Sequence, residues 1–322
     1  EKSSNYLASV YAEGNGFGLA WADISTGEFN VFEYDGKDAD ARLGDLLSVI
    51  HPSEILSDEA FTSKYLNVNY FIANEKRPKC YHNYAYGYAT ATKKLCSALK
   101  VATLQPFECE DKRLAVCAAG GLMEYLEQTQ KRALSQIDTI TLLRDKSFMV
   151  LDGATRRNLE LVARARDGKR QGSLLAVLDK TKTAMGARTI KRYIEQPLQD
   201  PDKINQRLDA VEELVLDKIS RDKLSAALSS ARDLERLAGR LAYGMATPKD
   251  VYSIAETLAV VPDLKETLKG KKSSLLKSIN QTMTALPHIA AVVLSALDEQ
   301  KLLSYRLGGY IRKGYDQQLD EY

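Results

Sequence analysis

Two apolar periods divide this sequence, and one layer of structure cannot satisfy both. Residues 6–11, 17–22 and 29–34 are rich in aromatic and β-branched side chains and alternate as strands do. Glu13-Gly14-Asn15-Gly16 and Ser25-Thr26-Gly27 separate them with tight-turn chemistry, so the spacing predicts an antiparallel three-stranded meander. Residues 40–50 then set Leu43, Leu46, Leu47 and Ile50 on one helical stripe, and Pro52 forces the chain out of that helix. A short strand at 54–56 and an apolar stretch at 70–73 follow. Helices are expected at 90–99 and 114–130, the second with Ala118, Ala119, Gly120 and Gly121 for close packing.

From about Thr155 the period becomes 3.6 and stays there. Asp200 before Pro201 and Thr247 before Pro248 have N-cap chemistry, and Thr247 with Asp250 three residues on predicts a capping box. Ile204, Leu208, Val211 and Val215 share one face, as do Val251, Ile254 and Leu258, and each set is expected to be buried. A helix over 232–243 aligns Leu234, Leu237 and Leu241, with Gly244 placed as its left-handed cap, and the helix over 184–196 must stop at Pro197. Three antiparallel strands, a helix and a further strand, followed by helices alone, predict an α/β RNase H-like domain over residues 1–133 and an all-α domain over 134–322. A length of 322 residues suits two domains.

Chemistry is conspicuous mainly by omission. Cys80, Cys96, Cys109 and Cys117 form no C-x-x-C pair, and His51, His82 and His288 are scattered, so neither zinc nor a disulfide framework is expected, and the cell compartment is read as the cytoplasm. No apolar run reaches the length of a membrane span, and no signal peptide is visible. The Gly-Lys pairs at Gly36, Gly168 and Gly270 have neither the preceding glycine nor the following Ser or Thr of a P-loop. Gly14, Gly16 and Gly18 lie between two strands, where a dinucleotide cradle would need a helix start. No G-x-S-x-G or H-E-x-x-H motif occurs. Asp23, Glu28 and Asp45 are the carboxylates an RNase H-like metal-dependent nuclease with a helical accessory domain could use, though Asp23 with Ser25 and Gly27 also reads as a turn.

Charge is divided between the two parts. Residues 1–133 hold 14 Lys and Arg against 18 Asp and Glu, a net −4, while residues 134–322 hold 31 against 25, a net +6. The second part would favour polyanions, and Arg156, Arg157, Arg164, Arg166, Lys169 and Arg170 could contact phosphates as a stand-alone nucleic-acid binder would. Without interleaved aromatic residues, the run is read as a solvated helix face. The chain begins at Glu1 instead of Met, and 315–322 reads as a helix just begun, so a piece of a longer protein is expected.

Leu151-Asp152-Gly153-Ala154-Thr155-Arg156-Arg157-Asn158-Leu159-Glu160-Leu161 resembles the start of the core domain of the MutS family of DNA mismatch repair proteins. Asp152 suits an N-cap there, with Leu159 and Val162 expected to face inward. The resemblance continues in order through Gly172-Ser173-Leu174-Leu175, Thr183-Ala184-Met185-Gly186-Ala187-Arg188, Gln196-Pro197-Leu198, Arg207-Leu208-Asp209, Asp233-Leu234-Glu235-Arg236-Leu237 and Ala246-Thr247-Pro248-Lys249-Asp250. Upstream, Gly16-Phe17-Gly18-Leu19-Ala20, Asp23-Ile24-Ser25-Thr26-Gly27-Glu28-Phe29 and Ala118-Ala119-Gly120-Gly121-Leu122 are similar to the family's connector domain. Tyr193 stands where many relatives have tryptophan, and Thr189-Ile190 where two leucines are common.

That resemblance implies a connector domain and a core, or lever, domain that link mismatch-binding, clamp and ATPase parts and transmit nucleotide-dependent movement. It implies no catalytic site and no cofactor in this chain, with ATP and Mg belonging to the full-length protein. The implied partners are mismatched duplex DNA and a MutS homodimer, both through the full-length protein, and MutL, with no membrane. The helix at 90–99 is the candidate MutL surface, represented by Lys93 and Lys94.

Overall fold

The computed structural model describes residues 4–64, 70–71, 77–129, 137–144, 148–149, 151–302 and 308–321. The chain divides into two compact units, one formed by Ser3–Leu178 with Lys191–Pro197 and the other by Asp179–Ile190 with Leu198–Tyr322. The expected boundary at residue 133 lies outside the described residues.

In the first unit, β1 (Leu7–Glu13), β2 (Gly16–Asp23) and β3 (Glu28–Asp35) form the meander the turns predict, with Leu7 opposite Ala22 and Ala22 opposite Phe29. Gly14 takes φ 62°, a left-handed conformation that glycine adopts without a Cβ penalty. β4 (Glu54–Ser57) pairs parallel to β1, and β5 (Lys79–Cys80) parallel to β4. The order β3-β2-β1-β4-β5 is the RNase H-like arrangement, and it gains one strand. That strand, β6 (Thr141–Leu142), pairs parallel to β3 from within a stretch expected to be all-α. Two paired residues leave no periodicity to read in sequence.

Alternation along β2 sends Leu19 and Trp21 to one sheet face and Ala20 and Ala22 to the other. The first face packs on Leu43, Leu47 and Ile50 of α1 (Ala39–Ile50) and on Phe61 of α2 (Glu59–Lys64). Tyr70 and Phe71 join that layer, while residues 72 and 73 of the predicted apolar stretch lie outside the described residues. The second face is covered by α3 (Tyr88–Leu99) and α4 (Arg113–Thr129). Gly120 allows those helices to touch, since a Cβ on it would lie 2.2 Å from the Ala91 Cβ.

The first unit closes with α5 (Gly153–Asn158), capped by the Asp152 carboxylate, which accepts from the Thr155 N–H at 2.7 Å, and with α6 (Leu174–Leu178). Leu159 does not face inward. α5 ends before it, and Leu159 is 59% exposed while Leu161 takes the buried position.

α7 (Ala184–Glu195) stops before Pro197 as expected, and its residues from Lys191 onward belong to the first unit. The rest of the second unit is helical: α8 (Pro201–Leu216), α9 (Lys218–Ser230), α10 (Leu234–Ala242), α11 (Pro248–Leu268), α12 (Ser274–Thr282), α13 (Pro287–Ala296) and α14 (Gln317–Asp320). Asp200 caps α8, and Thr247 with Asp250 makes the predicted capping box on α11. Gly244 takes φ 65° beyond α10. α11 packs against α9, α10 and α13. The stripe on α8 differs from expectation: Ile204, Leu208, Val211 and Val215 share a face but are all exposed, and Ala210 is the buried residue of that helix. Leu237 is buried on α10, whereas Leu241 faces out.

Candidate partner-docking surface

α3 places its two lysines differently. Ala91, Leu95 and Leu99 point into the core, which leaves Lys93 exposed and Lys94 at the margin. The Lys94 ammonium sits 2.6 Å from a Glu124 oxygen and 2.5 Å from a Glu127 oxygen, both on α4. The hydrogen bond from Lys94 holds the Glu124 carboxyl below the usual glutamate range. Glu124 also accepts from the Tyr84 hydroxyl at 3.1 Å and from the Gln128 amide at 3.0 Å. The exposed Tyr84 ring stacks on His82, with centroids 5.6 Å apart. Lys94 therefore ties α3 to α4, and Lys93 remains available to a partner. The sequence reading missed Tyr84, Glu124 and Glu127. Spacing of 124, 127 and 128 on one helix face was a usable signal, but their meeting with Lys94 is tertiary.

The three candidate carboxylates are each engaged in hydrogen bonds, two of them with the backbone. Asp23 is buried and accepts from the amides of Asn5 at 3.0 Å and Ser25 at 2.9 Å, and the amides of Thr26 and Gly27 close the turn onto its carbonyl. Glu28 accepts from the Tyr6 hydroxyl and the Asn30 amide. Asp45 accepts from the Gly153 amide at 3.1 Å, at the start of α5. Among the described residues no group of three His, Cys, Asp or Glu side chains is gathered as a metal ion would require.

Nor do the glycine-lysine pairs suit a nucleoside triphosphate. Gly36-Lys37 leads into α1, whose start carries Asp38 and Asp40, negative charge where a phosphate would sit. Gly270-Lys271 leads into α12, but the amides of Lys272 and Ser273 already donate to Glu213.

The basic run is not a helix face. α5 ends at Asn158, Glu160 turns the chain at φ 47°, and residues up to Ser173 form a loop with Gly168 and Gly172 at positive φ. Arg156 is half-buried, donating to the carbonyls of Leu151 and Glu195, each at 2.9 Å. Arg164 pairs with Asp167, whereas Arg157, Arg166, Lys169 and Arg170 are exposed. Gly153 and Asn158 bound a helix too short for one face to hold six cations, so the expected solvated helix face is replaced by a braced loop.

Two domains in this order are also what the family comparison finds. The profile of MutS domain II matches residues 5–138, and that of MutS domain III matches 154–321. The chain belongs to the MutS family. A protein named DNA mismatch repair protein MutS from Halothermothrix orenii is 37% identical over 327 residues, covering 100% of this chain and 36% of that protein. The MutS of the same name from Desulforamulus reducens is 38% identical, covering 100% of this chain and 37% of its own length. That from Alkaliphilus oremlandii is 36% identical with the same coverage of 100% and 37%. The chain thus spans a little over a third of the length of these relatives.

Proposed function

We propose that this chain is the connector and lever part of a MutS-type mismatch repair protein, a linking element with no catalytic site of its own. In this reading the helical unit transmits nucleotide-dependent movement, while ATP and its magnesium ion, the grip on mismatched duplex DNA and the homodimer belong to the full-length protein in the cytoplasm. The match of both domain profiles, in order and over nearly the whole chain, carries the reading. The engagement of Asp23, Glu28 and Asp45 in backbone and side-chain hydrogen bonds supports it over a nuclease. No helix among the described residues is long and apolar enough to cross a membrane.

Fluorescence anisotropy against matched and G·T-mismatched duplexes, with and without ATP at physiological salt, tests it. Binding should be absent, or weak and indifferent to both mismatch and nucleotide; tight mismatch-selective or ATP-responsive binding would overturn the assignment. The exposed side of α3 is the proposed MutL docking surface. Lys93→Glu is the better probe of it, because changing Lys94 would also remove the cation shared by Glu124 and Glu127. Gel filtration with purified MutL should show a complex that Lys93→Glu weakens, and an unchanged complex would remove α3 from consideration.

A further inference from the structure

The layer formed by the sheet and α1 contains a cavity of about 50 Å³, and every residue lining it belongs to the first unit. Trp21 and Phe32 reach it from β2 and β3, and Leu46, Val49 and Ile50 from α1. Trp21, Phe32, Val49 and Ile50 are buried, so the floor is apolar. A water molecule needs roughly 10–15 Å³ of such space, which leaves room for about four groups of that size.

Beside this floor stands a guanidinium that is incompletely partnered. Arg156, on α5, lines the cavity together with Leu151 and Gln196. Its Nε donates to the Leu151 carbonyl and its Nη2 to the Glu195 carbonyl, each at 2.9 Å, which fixes the plane of the group. Its Nη1 is buried and has no acceptor among the described residues. A buried donor left unpaired costs more than an ordinary hydrogen bond returns, so an acceptor supplied from outside is worth more here than at the surface. Burial also lowers the Arg156 pKa, with Glu195 and Asp45 only partly offsetting it, which marks a cation short of counter-charge. The other charged groups at the cavity are engaged. Arg144 pairs with Glu108, Arg42 lies 5.8 Å from the centroid of the Phe32 ring, and Asp45 accepts from the Gly153 amide.

An anion would complete Arg156, but the floor selects among anions. Phosphate carries its hydration on every side and would have to shed it against Trp21 and Phe32. A carboxylate on a short hydrocarbon chain offers one charged end and one apolar end, whereas a neutral amide of the same shape lacks the charge-assisted bond. We propose that this cavity binds a small aliphatic monocarboxylate, its carboxylate on Arg156 and its chain against Trp21, Phe32 and Val49. The inference rests on the cavity and not on the function proposed above.

Trp21 is the single tryptophan of the chain, so its fluorescence, excited where tyrosine does not absorb, reads the cavity directly. Titration with butyrate at constant ionic strength should change that signal saturably. Acetate, two methylenes shorter, should bind about tenfold more weakly, since each buried methylene is worth roughly fourfold in affinity. Butyramide and inorganic phosphate should give no saturable change. Arg156→Gln should abolish the butyrate response. Because that variant also disturbs the bonds to Leu151 and Glu195, Leu46→Phe provides a second reading: it narrows the cavity, leaves Arg156 in place and should remove the advantage of butyrate over acetate, with circular dichroism matching the parent. A Trp21 signal indifferent to butyrate, or butyramide or phosphate binding as tightly as butyrate, would overturn the proposal. So would a butyrate response that survives in folded Arg156→Gln, or an advantage over acetate that survives in Leu46→Phe.

Discussion

Gly120 and Asp23 illustrate how single residues bind the first unit together by different physics. A Cβ on Gly120 would meet the Ala91 Cβ at 2.2 Å and the Ala91 Cα at 2.6 Å, and a helix backbone cannot retreat as a side chain can. Gly120→Val should therefore cost about 3 kcal/mol, measured by urea unfolding. Asp23→Ala strips the shared acceptor from the amides of Asn5 and Ser25 and should cost about 2 kcal/mol. If Asp23→Ala instead leaves stability intact and abolishes a magnesium-dependent cleavage, the carboxylate is catalytic after all. Glu195 works in the opposite sense. Burial raises its carboxyl pKa, which the nearby charges of Lys191 and Arg156 only partly offset. A raised carboxyl favours folding while protonated, so its contribution is complete below the ordinary glutamate value and is lost as pH rises through the raised one. Glu195→Gln, which is neutral at every pH, should then be more stable than the parent at neutral pH and no more stable in acid. Equal urea midpoints at neutral pH would rule this out.

Helices and strands differ in how much of themselves they reveal in sequence. The meander, the caps at Asp152, Asp200 and Thr247, and the left-handed Gly244 were legible because each depends on a few adjacent residues. β6 was not, since its two residues form a strand only by pairing with Asn30 and Val31 far upstream. Pro262 sits inside α11, where local reasoning would end the helix. The candidate site shows the same limit: Lys93 and Lys94 look equivalent in sequence, and only the meeting of α3 with α4 sets them apart. Periodicity likewise identifies which residues share a face, not what lies against it. On α8, Ile204, Leu208, Val211 and Val215 repeat as a buried stripe would, yet Leu208 and Val211 are each 57% exposed. Such a stripe predicts self-association that rises with protein concentration. Leu208→Glu with Val211→Glu should shift sedimentation toward the monomer while leaving helix content and unfolding midpoint unchanged. A parent chain that sediments as a monomer at high concentration would contradict it.

At the scale of the whole molecule, two compact units with separate apolar clusters predict that unfolding is not one cooperative event. The first unit holds two large clusters, one on each sheet face, whereas the cluster of Ala210, Leu268 and Leu276 in the second is small. Less buried apolar surface means less stabilisation, so the helical unit should melt first. Calorimetry can assign the transitions by variants that act in only one unit. Thr247→Ala breaks the capping box of α11, which should cost about 1 kcal/mol and lower the first transition by about 3 °C. Gly120→Val should leave that transition in place and lower the second. A single transition moved by both variants would mean that the two units unfold as one, with their coupling stronger than the smaller unit's own stability. That coupling bears on the proposed lever role: a unit that unfolds independently can absorb an applied movement by loosening, whereas a coupled one must pass it on.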